Sequence, residues 1–255
     1  KNRSTPFFAT VPGGLTAQEQ DAWIHYGGGQ ELWDELYSNF NLKAFLGGNS
    51  GVQMGGWFRN EIKSLDDFKG LKMRMPGLGA EVINRMGATA VSMPGGEIMP
   101  SLESGAIDAT EWVGPYNDLA FGFYQVAKYY YGPGFHEPGT QAECMVNKEE
   151  YDKLPKHLQK IVEHASVSEN NKMLAEFTYG NSAAQRKLVD THGVIMNNFP
   201  KEVYDTMFKI SEEVVAETAN DGEINKKIYN SWIKFKEDVR VRAPYAEQGY
   251  MERRG

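Results

Sequence analysis

Apolar positions follow two patterns along the chain, with short extended runs in the first part and helical spacing in the second. Thr16-Ala-Gln-Glu19 has the form of a capping box and predicts the start of a helix, which Gly27–Gly29 separates from a second helix. Extended runs predict strands over 42–46, 52–58, 71–75, 89–93 and 107–113. Helical segments over 81–86 and 97–103 lie between them. This alternation predicts a parallel or mixed sheet covered on both faces.

The second half of the chain is predicted to be mainly helical. Pro155 fits the first turn of a helix whose apolar positions recur as far as Gly193, with Gly180 as a possible bend. That length exceeds an ordinary globular helix and predicts a helix that bridges two lobes. A strand over 194–199 and a helix from Pro200 follow.

A terminal helix is predicted to carry one apolar stripe. Its members recur at helical spacing: Ile224, Ile228, Trp232, Phe235 and Val239. A stripe of this size must pack either on its own chain or on a partner chain, and the pattern leaves both open.

Composition and charge exclude some classes of protein. The 255 residues include 27 lysines and arginines against 34 aspartates and glutamates, a formal charge of −7, whereas a nucleic-acid binder needs a basic face. No apolar run approaches the 18 or more residues of a membrane span, and the first residues lack the apolar core of a signal peptide. Cys144 is the one cysteine, so no internal disulfide forms, and its extended apolar run predicts a buried side chain.

Common catalytic motifs find no support. Gly77-Leu-Gly79 lacks the third glycine of a dinucleotide-binding loop, and Gly48-Asn-Ser50-Gly51 lacks the second glycine of a nucleophile elbow. The five histidines form no pair at zinc-binding spacing. Dehydrogenase and hydrolase chemistry are therefore not predicted.

Polar residues do occur at the ends of glycine-rich apolar strands. They are Gln53, Arg74, Glu111 with Trp112, and Glu137. Ligands bind at the carboxyl ends of strands in sheets of this class. For any one of these residues alone, the pattern favours an ordinary surface residue beside a turn or half of a structural ion pair.

Taken together, five segments closely resemble the solute-binding subunit of TRAP transporters, the tripartite ATP-independent periplasmic systems of bacteria. The segments are 47–59, 65–74, 94–98, 108–117 and 124–131. The most similar subgroup binds 2-oxo acids such as pyruvate together with a cation. The resemblance runs nearly end to end and is weaker after about residue 149.

The resemblance implies an α/β, two-lobed fold of the periplasmic-binding-protein kind (type II-like, a Venus flytrap) with a long bridging helix and a C-terminal helix. It implies lobe I over 1–50, lobe II over 51–137, a lobe I strand and the connecting helix over 138–180, a return to lobe II over 181–219, and a C-terminal helical segment over 220–255. It also implies a periplasmic receptor that delivers a small monocarboxylate to the small and large membrane subunits of a permease.

The same resemblance assigns roles to the polar residues. Arg74 would bind the ligand carboxylate, with Gln53 and Trp112 as further substrate contacts. Oxygen atoms of Gln53, Glu111 and Glu137 and the backbone carbonyl of Trp112 would hold Na⁺ or Ca²⁺, since hard cations prefer oxygen. The two glutamates and the bound acid carry three negative charges, and Arg74 offsets one of them. The remaining two favour Ca²⁺ over Na⁺ unless one glutamate is exposed or protonated.

Two departures from the family pattern matter. The chain lacks the family's first strand–helix units before Lys1, so it is expected to be N-terminally short and to leave apolar surface bare around Phe7, Phe8 and Trp23. Phe135-His136 stands where the subgroup often has an aromatic pair, which makes the pocket more polar.

The terminal stripe resembles a helix that this subgroup exchanges between subunits, so a homodimer and packing within one chain are equally favoured.

Three functions remain open on the sequence, and a binding receptor with no enzymatic activity ranks first. The second is a metal-dependent enzyme acting on 2-oxo acids, for which His136 is the one obvious general acid or base. The third is a sensory domain that binds organic acids.

Overall fold

The computed structural model describes residues 2–254. The helices are α1 (Ala17–Tyr26), α2 (Gly29–Ser38), α3 (Gly77–Arg85), α4 (Gly95–Ser104), α5 (Pro115–Phe121), α6 (Lys148–Lys153), α7 (Lys156–Asp190), α8 (Lys201–Glu217), α9 (Glu223–Arg242) and α10 (Glu247–Arg254). The strands are β1 (Leu42–Asn49), β2 (Gly56–Phe58), β3 (Lys72–Arg74), β4 (Thr89–Val91), β5 (Ala109–Thr110), β6 (Tyr129–Tyr131), β7 (Gln141–Asn147) and β8 (Ile195–Asn197).

Within residues 2–254 these strands form two sheets. The smaller sheet is the antiparallel pair β1–β7, and the larger has six strands in the order β4-β3-β5-β2-β6-β8. In the larger sheet β3 runs parallel to β4 and β5, whereas β2 is antiparallel to both of its neighbours. The mixed sheet predicted from the sequence is therefore confirmed.

The start of α1 agrees with the sequence, whereas α3 and α4 begin earlier than predicted and several strands have different bounds, β5 being reduced from 107–113 to Ala109–Thr110. The capping box of Thr16 and Glu19 is present at the start of α1. The first strand does not end at Gly47–Gly48, because both glycines lie within β1 and the register against β7 shifts between Leu46 and Gly48. At Gly48 the strand lies close to α7, where a Cβ would overlap the sulfur of Met173 unless that side chain moved.

Segment 52–55, predicted to begin a strand, lies outside the sheet and leaves β2 only three residues long. The backbone N–H of Gln53 donates to the carbonyl of Glu137 at 3.0 Å, and that of Met54 donates to Val113 at 3.0 Å. These loop partners satisfy the backbone groups that a longer strand would have paired in the sheet.

Helix α7 is 35 residues long and confirms the predicted long helix. It packs against β1 of the smaller sheet and against α5, which follows the larger sheet. At the crossing with α5, a Cβ on Gly180 would lie only 2.7 Å from the ring of Tyr116. We therefore attribute the glycine to the close approach of the two helices.

The expected bare surface around Phe7, Phe8 and Trp23 is wrong, since all three side chains are buried. Phe8 stacks on Trp33 with ring centroids 5.2 Å apart, and Phe7 meets Trp232 of α9 edge to face at 5.3 Å. Helix α9 thus covers the surface that was expected to be exposed.

The apolar stripe of α9 packs on its own chain. Ile228 and Trp232 are fully buried, and the partly buried Ile224, Phe235 and Val239 pack against the same core. Beyond the stripe, exposed apolar side chains continue with Val241, Tyr245, Tyr250 and Met251. No helix within residues 2–254 combines the length and the apolar character needed to cross a bilayer.

Cys144 is only partly buried, so the prediction of a buried side chain is wrong. Its strand β7 pairs with β1 alone in the two-stranded sheet.

Candidate functional site

Arg74 and Glu111 lie at the same edge of the larger sheet because β3 and β5 are parallel neighbours. Arg74 is in register with Thr110, so Glu111 is the first residue beyond the end of β5. The backbone N–H of Glu111 donates to the carbonyl of Arg74 at 3.2 Å. The topology therefore brings together two side chains that are 37 residues apart in the chain.

Arg74 forms a close ion pair with Glu111. Its Nη1 donates to the carboxylate Oε1 of Glu111 and, at 3.2 Å, to the backbone carbonyl of the same residue. The Glu111 side chain is 1% exposed and that of Arg74 12% exposed, so both charges are largely removed from water. The guanidinium lies 5.2 Å from the ring centroid of Trp112, within cation–π range.

His136 contacts the other oxygen of the same carboxylate. Its Nε2 lies 3.2 Å from Oε2 of Glu111, and its side chain is 2% exposed. Burial alone would lower the pKa of His136, but the hydrogen bond and the charge of Glu111 outweigh burial, and the pKa is raised. Glu111 therefore lies between two cationic or potentially cationic side chains.

Glu137 completes a cluster with these two residues. Burial raises the pKa of the Glu137 carboxyl, the charge of Glu111 acts in the same direction, and His136 opposes both. Oε2 of Glu137 accepts a hydrogen bond of 2.6 Å from the hydroxyl of Thr140. Glu111, His136 and Glu137 each offer one ligand atom, and the three atoms lie within 4.8 Å of one another. Such a group of donors can hold a metal ion.

Gln53 is tied to this cluster through the backbone rather than through its side chain. Its carbonyl accepts from the N–H of Gly134 at 2.7 Å, and its own N–H donates to Glu137 at 3.0 Å. The side-chain amide donates to Ser50 at 3.2 Å, and its buried Oε1 has no hydrogen-bond partner within residues 2–254. A buried amide oxygen without a partner is the kind of atom that a cation or a ligand donor satisfies.

The structure thus places the predicted residues in two groups. Arg74, Glu111, Trp112 and Glu137 form one connected cluster, whereas the side chain of Gln53 lines a neighbouring cavity with Asn197 and Asn198. His136 belongs to the cluster but was not among the predicted ligand or metal contacts. Its position directly before Glu137 was the available signal in the sequence.

A cleft of about 300 Å³ borders the cluster. Its lining includes Pro76–Gly79, His136 and Glu137. Thr10, Tyr37 and Glu143 contribute to the rest of the lining. The volume fits a small organic molecule and lies at the lower end of the range for ligand pockets.

Comparison with protein families gives one match, which covers most of the chain. Residues 4–221 match the model described as bacterial extracellular solute-binding protein, family 7. A monocarboxylate 2-oxoacid-binding periplasmic protein of Nostoc sp. (strain PCC 7120) is 41% identical over 239 residues. That alignment covers 94% of this chain and 65% of the Nostoc protein, so the chain spans about two thirds of that relative's length.

Solved structures give matches of the same kind. A TRAP periplasmic solute-binding protein from Pseudoalteromonas atlantica, with sodium and pyruvate bound, is 42% identical with a TM-score of 0.91. The match covers 98% of this chain and 76% of that one. A TRAP transporter solute-binding protein from Bordetella bronchiseptica, described as a mixed-occupancy dimer with copurified calcium and picolinate, is 40% identical with a TM-score of 0.93. The match covers 98% of this chain and 74% of the Bordetella chain.

Proposed function

Because this chain belongs to the bacterial extracellular solute-binding proteins of family 7, we propose that it is the receptor of a TRAP transporter. Its ligand is a small 2-oxo or 2-hydroxy monocarboxylate such as pyruvate or lactate, bound together with Na⁺ or Ca²⁺. It captures the acid in the periplasm and delivers it to the small and large membrane subunits of the permease. The names of the Nostoc and Pseudoalteromonas proteins support this ligand class, and the Bordetella structure supports a monocarboxylate bound with calcium.

The observation that carries the proposal is the meeting of one arginine with a cluster of metal-ligating side chains. Arg74 is fixed beside Glu111, and Glu111 lies within 4.8 Å of ligand atoms of His136 and Glu137. An arginine offers two parallel donors to a carboxylate, and it stays charged in a buried site. Its Nε is buried and has no partner within residues 2–254, so a donor remains for the ligand.

The proposed cation is held by carboxylate oxygens of Glu111 and Glu137, the carbonyl of Trp112 and the amide oxygen of Gln53. Glu111 and Glu137 fit a hard cation, because their carboxylate oxygens belong to one cluster, and the unpartnered Oε1 of Gln53 would join them after the side chain turns away from Ser50. When bound, the ion supplies positive charge to the carboxylate and the adjacent oxygen of a 2-oxo acid. Arg74 recognises the acid group alone, so the ion accounts for selection at the 2-position.

Charge balance distinguishes the two ions. Glu111, Glu137 and a monoacid contribute three negative charges, and Arg74 offsets one of them. Ca²⁺ brings the sum to zero, whereas Na⁺ leaves one negative charge that a proton on His136 would offset. A buried cluster with unbalanced charge is strongly disfavoured, so the identity of the ion depends on this sum.

Calorimetric titration tests both parts of the proposal. The protein is treated with chelator in a sodium-free buffer and titrated with C2 to C6 mono- and dicarboxylates, with Ca²⁺ and Na⁺ added back separately. We expect pyruvate or a close analogue to bind only when one of the ions is present. Unchanged affinity without either ion contradicts the cation site, and failure of every acid to bind contradicts the receptor.

The receptor is proposed to release its acid unchanged. A binding receptor holds its ligand stoichiometrically, and Arg74 with the metal-ligating cluster suffices to hold an acid and a cation without further chemistry. Proton NMR of pyruvate incubated with an equal amount of protein is expected to show no consumption. Turnover that a His136→Ala change removes would instead support the metal-dependent enzyme.

A homodimer through the C-terminal helix is part of the proposal. The Bordetella protein is described as a dimer, and the exposed apolar residues beyond the α9 stripe supply a surface for a second copy. Light scattering after size exclusion is expected to give twice the chain mass. If the protein were a monomer at all concentrations, the proposed dimer would be wrong and α9 would serve only the core of a single chain.

A further inference from the structure

Glu143 lines the cleft from the smaller sheet. It lies on β7, and it borders the same cavity as His136 and Glu137 of the candidate site. The hydroxyl of Tyr37 on α2 donates to both of its carboxylate oxygens, at 2.9 Å each. A single hydroxyl shared between both oxygens holds the carboxylate group in one orientation.

Tyr37 is itself fixed by the aromatic core. Its ring meets Trp33 edge to face at 5.8 Å and Phe8 at 6.1 Å. The position of the Glu143 carboxylate is therefore set by buried neighbours rather than by a mobile surface side chain.

The negative charge of Glu143 has no cationic counterpart. Within residues 2–254, no lysine, arginine or histidine lies within 4.0 Å of its carboxylate oxygens, in contrast to Glu111. Burial raises the pKa of Glu143, and the hydrogen bond from Tyr37 opposes that change. An ionised Glu143 presents an uncompensated charge to whatever part of a ligand reaches this wall.

We propose that Glu143, positioned by Tyr37, excludes ligands with a second carboxylate and so restricts the cleft to monocarboxylates. The inference rests on the proposed function, in which Arg74 and the cation bind the first carboxylate and the 2-oxygen. The ligand's tail then extends into the cleft, where a methyl end is tolerated and a second carboxylate is repelled. Repulsion between like charges is strong where little water separates them, and it gives specificity by disfavouring the wrong ligand.

The test compares two acids that differ only at the end of the chain. 2-Oxopentanoate ends in a methyl group where 2-oxoglutarate has a carboxylate, and both are titrated at pH 8 with Ca²⁺ present. In the unaltered protein we expect 2-oxopentanoate to bind at least about tenfold more tightly. Glu143→Gln keeps the shape and removes the charge, so this ratio is expected to fall about tenfold while pyruvate affinity changes little.

Glu149→Gln is the matched control, because Glu149 is exposed, follows the same strand and does not line the cleft. It removes the same charge and is expected to leave the ratio unchanged. Glu143→Ala serves as a second removal of the charge if the glutamine variant does not fold.

The possible results distinguish a failure of the role proposed for Glu143 from a failure of the proposed receptor function. If the unaltered protein binds pyruvate but removal of the Glu143 charge leaves the ratio unchanged, the role of Glu143 is wrong and the receptor stands. If 2-oxoglutarate binds the unaltered protein as well as 2-oxopentanoate does, the inference is also wrong. If no 2-oxo acid binds the unaltered protein, the proposed function fails and the inference with it.

Discussion

Arg74 must serve two partners in the proposed complex. It already donates to the side chain and the backbone of Glu111, and a bound acid would add a further acceptor. The planar guanidinium has five donors in a fixed geometry, so one face can hold Glu111 while another binds the ligand.

Replacement of Arg74 by lysine separates charge from geometry. Lysine keeps the positive charge beside buried Glu111 but lacks paired donors, so we expect pyruvate affinity to fall at least about tenfold. Calorimetry measures the change. The control is Arg186→Lys, since Arg186 is exposed on α7, and equal affinities in the two variants would contradict the role of Arg74.

At the scale of single residues, the sequence predicted polar side chains at the ends of strands but neither the orientation of Gln53 nor the place of His136 in the cluster. Arg74 and Glu111 meet because each ends a strand, and strand ends are visible in an apolar pattern. The side chain of Gln53 turns to Ser50, because segment 52–55 leaves the sheet to bond with the 132–137 loop. A pairing between two irregular segments has no periodicity that sequence reasoning could use.

Helices α5 and α7 approach each other through a glycine. A Gly→Ala change inside a helix normally adds up to about 1 kcal/mol of stability. At Gly180 the added Cβ would lie 2.7 Å from the ring of Tyr116, so we expect Gly180→Ala to destabilise the protein by about 1–3 kcal/mol. Urea unfolding measures the free energy of each variant.

The control is the same change in a Tyr116→Ala background. With the ring removed, Gly180→Ala is expected to be neutral or stabilising, as helix propensity alone predicts. Destabilisation of the same size in both backgrounds would show that the Tyr116 ring is not the cause.

Asp118 connects α5 to two strands of the larger sheet. Its carboxylate accepts from Trp57 at 2.8 Å, from the hydroxyl of Tyr130 at 2.7 Å and from two backbone N–H groups. Burial raises the pKa of Asp118 to about 6 despite these hydrogen bonds. The folded protein therefore holds this proton more tightly than the unfolded chain does.

The contribution of Asp118 to stability is expected to fall as pH rises from about 4 to about 6, by up to about 3 kcal/mol, and then to level off. Urea unfolding of the unaltered protein and of Asp118→Asn at several pH values isolates this contribution, since asparagine does not titrate. If the free energy of unfolding of the unaltered protein, relative to that of Asp118→Asn, rose with pH, the prediction would be wrong. Carbon NMR of the Asp118 carboxyl, with an expected midpoint near 6, checks the same point without a variant.

At the scale of elements, helices were predicted better than strands. The 35-residue α7 and the stripe of α9 have long periodic patterns, and both are present in the structure. The strand predicted over 52–58 began too early, and the strand predicted over 42–46 ended too soon. Loops and glycines make backbone hydrogen bonds that the pattern of apolar side chains does not indicate.

For the whole molecule, we propose that the two sheets belong to lobes that close on the ligand. The proposed division is taken from the sequence, and α7 contacts both β1 of the smaller sheet and α5. The candidate cleft has Glu143 on the smaller sheet and His136 beyond the larger one, so closure brings its walls together.

Small-angle scattering tests this motion. Pyruvate with Ca²⁺ is expected to reduce the radius of gyration, because a closed cleft is more compact. Arg74→Lys at the same ligand concentration is the control and is expected to change less. An unchanged radius at saturating ligand would contradict closure.

The packing of Phe7 against Trp232 has a consequence for how the protein is made. Asn2 and Asn225, which share a hydrogen bond of 3.0 Å, are 223 residues apart, so the core around Phe7 can form only after Trp232 has been synthesised. Contacts between such distant parts of a chain slow folding. A nascent chain that stays loosely packed here until α9 has emerged can still be threaded through a translocation pore, which is what export of the proposed periplasmic receptor requires.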